Sequence, residues 1–323
     1  MLGLSTAAEL AARGHAVTVV DPGGANASSV AAGMIAPAME TLGDLRAGAE
    51  RADLFRAAAA LWPDFARRFG VQVHDDGAEW RGEDAAWVFE ALRSRGFDVR
   101  LTPSGVFMAD EARTDAAVAL AALRRAPGVT SIAGRAVAVA RDPTGWTVRL
   151  EAGGRLIADH VVLATGFDAG MEAPPSVAAV LARVSPIKGQ LAFTPAALTP
   201  HPVRGPGGYV TPVAGGSVIG ATMQAGRSDL EPDIEAGRAL VEAGLAMAGA
   251  EETPPLEWRV GVRGASPDGL PMAGEIEPGL HVALAPRRNG WLTGPLVAAV
   301  VADGIEERAS HAWGAPLDPR RFD

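Results

Sequence analysis

The sequence predicts an α/β protein in which a nucleotide-binding layer, assembled from separated segments, carries a second part with a mixed or antiparallel sheet. Three stretches predict it. The chain opens on a helix, a buried strand and an acid, "LGLSTAAELAARGHAVTVVD". From about Val129 the texture turns to short strands separated by glycine turns, and it closes on strand, loop and helix, "GLHVALAPRRNGWLTGPLVAAVVADGIEERA". At 323 residues there is length for a sizeable core. An apolar share of 48% with 21% charged residues is that of an ordinary folded chain.

Leu4 to Arg13 is rich in alanine and leucine, which favour helix, and Gly14 stands where a helix C-terminal glycine belongs. "AVTVV" is β-branched and bounded by Gly14 and "DPGG", the pattern of a buried parallel strand ending at Asp21. Composition predicts one helix over 44–70 and two more over 84–95 and 114–125. "SIAGRAVAVARDPTGWTVRLEAGGRLIADHVVLATG" predicts three strands and then the buried strand "HVVLATG". Residues 184–225 are again strand-like, with "AGG" as a turn. A helix from Ile234 to Gly249, the strand "LEWRVGVRG" and a terminal amphipathic helix complete the chain.

The net charge is −9, which argues against non-specific nucleic-acid binding. Cysteine is absent, which excludes disulfides, thiolate metal sites and thiol nucleophiles. Six scattered histidines show no metal-ligand spacing, so no metal is expected. No apolar run reaches the roughly 18 residues of a membrane span, and no export signal is visible; the expected location is cytoplasmic.

The N-terminal unit carries the first chemistry. Gly3 lies at the helix start, where a missing side chain allows close helix–strand packing. The helix N-terminus offers free N–H groups to a pyrophosphate, and Asp21 is placed to accept hydrogen bonds from ribose hydroxyls. A plain helix–strand pair ending in an acid would look the same, so these residues alone leave both readings open. The small residues of "ANASSVAAGMIAPAME", 25–40, let a large flat ligand approach the backbone.

With that stretch the order "LGLSTAAELAARGHAVTVVD … ASSVAAGMIAP" resembles the D-amino-acid oxidase and glycine oxidase family of FAD-dependent enzymes. "HVVLATG", "VRGASPDGLPMAG" and "APRRNGWLTGP" resemble further segments of that family in the same order. Within the family, thiamine-pathway glycine oxidases are the most similar, through "AAGMIAP", the lone tyrosine and "GATMQAG". The resemblance implies a Rossmann-type FAD-binding domain over 1–45, 112–184 and 258–323, and an α+β substrate domain over 46–111 and 185–257. For the cofactor, non-covalent FAD, it implies Met1, Leu2 and Gly3 as the end of a glycine fingerprint and Asp21 on the ribose. Ser28, Ser29, Ala32, Gly33 and Met34 would line the FAD, with Ala136 near the adenine end. Thr165 and Gly166 would lie beside it, and Pro286, Arg287, Arg288, Asn289, Gly290, Trp291 and Leu292 would wrap the ring. Pro295 would open the following helix, whose dipole would face the flavin.

For the substrate, the resemblance implies Arg263 as the carboxylate-binding guanidinium and Tyr209, the chain's only tyrosine, as a second donor. Arg288 would be a further arginine and Met223 an apolar wall. Gly264 and the pair Pro286–Arg287 depart from the family pattern, and two adjacent arginines would make the pocket more cationic. No Ser/His/Asp or paired-carboxylate constellation is present, so no catalytic acid or base is expected. The implied reaction is oxidation of a small amino acid, glycine or a related amine, to a keto acid or glyoxylate, ammonia and hydrogen peroxide. The rival expectations are a D-amino-acid dehydrogenase that passes electrons to a quinone, and a non-catalytic flavin-binding remnant. The expected partners are the amino acid and an electron acceptor, with a homo-oligomer allowed. The family's first strand and first two glycines have no counterpart here, and the expectation is that the natural start lies upstream.

Overall fold

Helix Leu2–Ala12 runs into strand Val17–Asp21, which pairs in parallel with Val129–Ala133. Strand Val161–Leu163 pairs in parallel with Leu280–Leu284, whose other edge takes Met272–Glu277 antiparallel. These two pieces of sheet share no ladder among the described residues; helix Leu2–Ala12 packs against both. The computed structural model describes residues 1–44, 48–309 and 311–323. Gly3 stands at the join: a Cβ there would come within 2.7 Å of the Ala164 Cβ, just past strand Val161–Leu163.

The other large layer is a mixed sheet. Its order runs Gln224–Ala225, Ser185–Thr194, Gly216–Gly220, Gly208–Val213, Val203–Gly205, Ala78–Trp80, Gly105–Met108 and Val99–Thr102. Glu257–Ala265 lines the second edge of Ser185–Thr194 over its length. Among the described residues of this sheet, only the pairing of Val203–Gly205 with Ala78–Trp80 is parallel. The architecture is thus a Rossmann-type α/β domain beside an α+β domain with a mixed sheet.

Four elements differ from the sequence expectations, each for a visible reason. The helix expected over 44–70 is two, Ala49–Ala60 and Trp62–Phe69, because Pro63 supplies no N–H for continuous pairing; residues 45–47 lie outside the described residues. The stretch read as three strands before "HVVLATG" holds four, and the first belongs with Val17–Asp21 rather than with the antiparallel meander Ala136–Asp142, Gly145–Leu150 and Arg155–Ala158. The terminal helix Gly290–Ile305 is buried on nearly all faces rather than amphipathic, because it packs between helix Leu2–Ala12 and helix Ala49–Ala60. Pro295 lies inside that helix, not at its start. A proline there frees the Trp291 carbonyl four residues back, and the indole N–H of buried Trp62 donates to it at 3.1 Å.

Candidate active site

A cavity of about 430 Å³ lies between the mixed sheet and the segment Ala27–Gly43. Strand register builds its roof. Trp80 pairs with Arg204, Arg204 with Tyr209, Tyr209 with Gly220, and Gly220 with Leu191. Directly opposed residues share a face, so this row presents Trp80, Arg204, Tyr209 and Leu191 to the cavity, where all four are found. The floor is Ala27, Val30 to Met34, Met39 and Glu40, with Asn289, Trp291 and Leu292 from the start of the terminal helix.

Gly33 shapes the floor. Its φ is +69°, and its position against the Thr114 carbonyl leaves no room for a side chain. Glycines also seat three polar side chains: the Arg263 guanidinium lies over Gly189, the Arg288 guanidinium over Gly43, and the Tyr209 ring over Gly220.

Arg263, on strand Glu257–Ala265, donates to the Thr222 carbonyl at 3.3 Å and has no carboxylate partner among the described residues. Burial pushes its guanidinium below the ordinary arginine value, and Tyr209 and Glu40 oppose that push. Burial likewise raises the Tyr209 phenol above its usual value, against the pull of Arg263 and Arg204. Tyr209 therefore keeps its proton at neutral pH and is a donor beside a cation. Arg288 is turned onto Glu40: its Nε donates to the Glu40 carboxylate and its Nη2 approaches the Glu40 carbonyl at 3.4 Å. Met223 and Met34 complete the apolar walls.

Arg204 and Glu40 are the residues that sequence reasoning missed. Glu40 is 8% exposed and holds Arg288 on one oxygen, with Arg204 at 3.5 Å from the other. Behind it, the buried Glu111 carboxyl accepts from the backbone N–H groups of Ala38 and Met39 at 2.9 and 3.0 Å. Burial raises the Glu111 pKa to about 7.

Several expected residues lie outside the cavity wall. Asp21 ends its strand beside Gly134, bonded to the Gly23 N–H and to Arg124, each at 2.7 Å. Burial alone would raise its pKa, but those bonds outweigh it and hold the carboxyl below its usual range. Ser28 accepts from the Met1 nitrogen at 3.0 Å, and Ser29 completes a capping box with Asn26. Leu2 is buried in the helix pair with Gly3 beside it, and Ala136 opens the meander three residues beyond Ala133, the partner of Asp21. Thr165 and Gly166 follow the strand that Gly3 abuts. Arg287 has φ +53° and its side chain lies against Gly269, so the third cation of the cavity, beside Arg263 and Arg288, is Arg204 and not Arg287. Pro286 bridges Ala265, and Gly290 begins the terminal helix.

These residues fit FAD. The Asn289 Oδ1, at the start of the terminal helix, and the Thr165 Oγ1 are buried without a partner among the described residues, the state of groups that await a polar ligand. The helix start offers N–H groups beside a floor of alanine and glycine that a flat ring can approach. Positive φ at both Ala285 and Arg287 marks a strained loop at the entrance to this helix.

Residues 1–304 match the FAD dependent oxidoreductase family, DAO. Glycine oxidase of Geobacillus kaustophilus is 27% identical over 99% of this chain and 94% of its own length. Its crystal structure superposes with a TM-score of 0.83 at 25% identity, covering 99% of this chain and 96% of that one. A tRNA 5-methylaminomethyl-2-thiouridine biosynthesis bifunctional protein of Idiomarina loihiensis is 31% identical over 179 residues, 53% of this chain. The chain spans only 29% of that protein's length. The chain belongs to the FAD-dependent oxidoreductase family; it is an enzyme of that class and its cofactor is FAD. No helix among the described residues is long and apolar enough to cross a membrane.

Proposed function

We propose that the chain oxidises the Cα–N bond of a small amino acid, glycine or a related amine, yielding a keto acid or glyoxylate, ammonia and hydrogen peroxide. One observation carries the reading: Arg263 is a largely buried guanidinium without a carboxylate partner among the described residues, facing a cavity beside the Tyr209 phenol. A planar fork of N–H donors matches a carboxylate, and pairing there satisfies a charge that the protein itself leaves open. Bound FAD supplies hydride acceptance from the substrate and re-oxidation by oxygen.

The remaining work belongs to the chain. Arg263 and Tyr209 hold the substrate carboxylate from the roof, which orients the α-carbon toward the floor. Met34 supplies an apolar wall beside it, with Met223 at the exposed mouth. Glu40 keeps Arg288 against the wall and moderates the positive potential of three arginines. FAD would be held by Ala27 to Gly33, Thr165, Asn289 and the start of the terminal helix. We assign FAD binding to the Rossmann-type segments and substrate binding to the mixed sheet. The imine formed on oxidation hydrolyses to the keto acid and ammonia without a side-chain base.

Anaerobic mixing of the FAD-loaded protein with glycine, sarcosine and D-alanine tests this. Loss of the flavin absorbance with at least one of them is expected, and failure of all three overturns the proposal. Peroxide release with air as the sole acceptor distinguishes this reaction from transfer to a quinone.

A further inference from the structure

Arg204, like Arg263, is an incompletely satisfied charge in the cavity. It stands in the three-residue strand Val203–Gly205, with its side chain 12% exposed. Its Nη1 lies 3.5 Å from the Glu40 Oε1, and that carboxylate already receives Arg288 on the other oxygen. Its Nη2 meets the Met34 sulfur at 3.1 Å, a weak acceptor. Its Nε is buried without a partner among the described residues. A guanidinium with five donors, one long ion pair and an orphaned N–H is costly to bury unless an anion completes it.

The charges around the cavity point the same way. Arg204, Arg263 and Arg288 face Glu40, with Asp84 at the exposed rim bonded to the Trp80 indole at 2.7 Å. Glu111, behind Glu40, accepts two backbone N–H groups on one oxygen and feels the Arg204 charge, but makes no ion pair with it among the described residues. One substrate carboxylate on Arg263 leaves Arg204 still short of a counter-ion. Arg204 and Tyr209 are direct partners on neighbouring strands, roughly 5 Å apart. The Arg204 Cζ lies 6.0 Å from the Tyr209 ring centroid. A ligand whose first acid group is held at Arg263 and Tyr209 reaches Arg204 with a second one a few bonds away.

We propose that Arg204 is a specificity residue that binds a second carboxylate, so that the preferred substrates are amino or imino acids with two acid groups. This rests on the amino-acid oxidation reading above and names its substrate class. A charge-assisted hydrogen bond to such a group is worth about tenfold or more in affinity.

The test compares iminodiacetate and D-aspartate with sarcosine and D-alanine on the FAD-loaded protein, in wild type and Arg204→Met. The expected wild-type preference for the dicarboxylates is at least about tenfold in kcat/KM, carried by KM. R204M collapses that ratio, and Arg204→Lys restores part of it. Equal wild-type rates, a preference for the monocarboxylates, or an equal loss for both classes in R204M overturns the proposal. Flavin reduction by monocarboxylates alone defeats this inference and leaves the general reaction standing; reduction by neither class defeats both. Should R204M not fold, wild-type protein titrated with unreactive succinate and propionate decides the matter. Succinate is expected to perturb the flavin spectrum at a concentration about tenfold lower, and equal affinities overturn the assignment.

Discussion

Two arginine clusters in this molecule use the same side chain in opposite ways. Arg13, at the end of helix Leu2–Ala12, donates to Glu9 at 2.8 Å, Asp303 at 2.6 Å and Glu306 at 2.9 Å. The acids have further partners, with Arg68 at 3.0 Å from Glu9 and the His15 ring at 3.3 Å from Glu306. Both arginines there meet carboxylates, and the network ties the first helix to the terminal one. In the cavity, Arg204 and Arg288 share the carboxylate of Glu40, Arg263 pairs with none among the described residues, and Asp84 lies at the rim. The first cluster is complete without a ligand; the second is not. A surplus of buried positive charge disfavours folding and favours binding an anion.

The largest effect expected from breaking this contrast is in Arg263→Met. It removes the carboxylate partner and lowers kcat/KM for glycine or D-alanine by at least about 100-fold, roughly 3 kcal/mol. It also removes an unpaired buried charge, so its urea midpoint is expected to equal or exceed that of wild type. The pH dependence of stability comes next. The native Glu111 pKa of about 7 lies above the ordinary 4.5. Between those values the folded protein keeps a proton that the unfolded chain has lost, so this contribution is complete below pH 4.5 and vanishes as pH rises through 7. Its size is on the order of 3 kcal/mol, and Glu111→Gln is expected to flatten the unfolding free energy across that window.

Arg13→Met is expected to do the reverse of R263M. It leaves three acids without their common partner, costing about 2–3 kcal/mol in urea unfolding while kcat/KM stays at the wild-type value. The smallest effect belongs to Gly189→Ala. The added methyl would fall on the Arg263 guanidinium, the movable end of a long side chain, so the fold should tolerate it. KM is expected to rise about tenfold with a melting temperature close to wild type.

The same contrast shows what was legible in the sequence. Helix Leu2–Ala12, strand Val17–Asp21 and helix Ile234–Ala248 follow from local propensity and their bounding glycines. Arg263 and Tyr209 were legible through the resemblance of the segments that hold them, and the structure brings them into one cavity. Arg204 was not legible. It sits in a three-residue strand between Pro202 and Pro206, and its place depends on pairing with Trp80, over a hundred residues earlier. Register between distant strands leaves no local pattern. Glu40 was hidden for a related reason: it lies on a six-residue helix whose first N–H groups are capped by Glu111, far along the chain. Pro295 misled because proline's preference for helix starts is local, whereas the indole that accommodates it comes from Trp62.

Arg263 is held open for a carboxylate, and titrating the FAD-loaded protein with acetate and with acetamide, while following the melting temperature in wild type and R263M, is the decisive measurement. Acetate is expected to raise the wild-type melting temperature, acetamide is not, and R263M is expected to respond to neither. Equal stabilisation by acetamide, or an undiminished acetate effect in R263M, would contradict it.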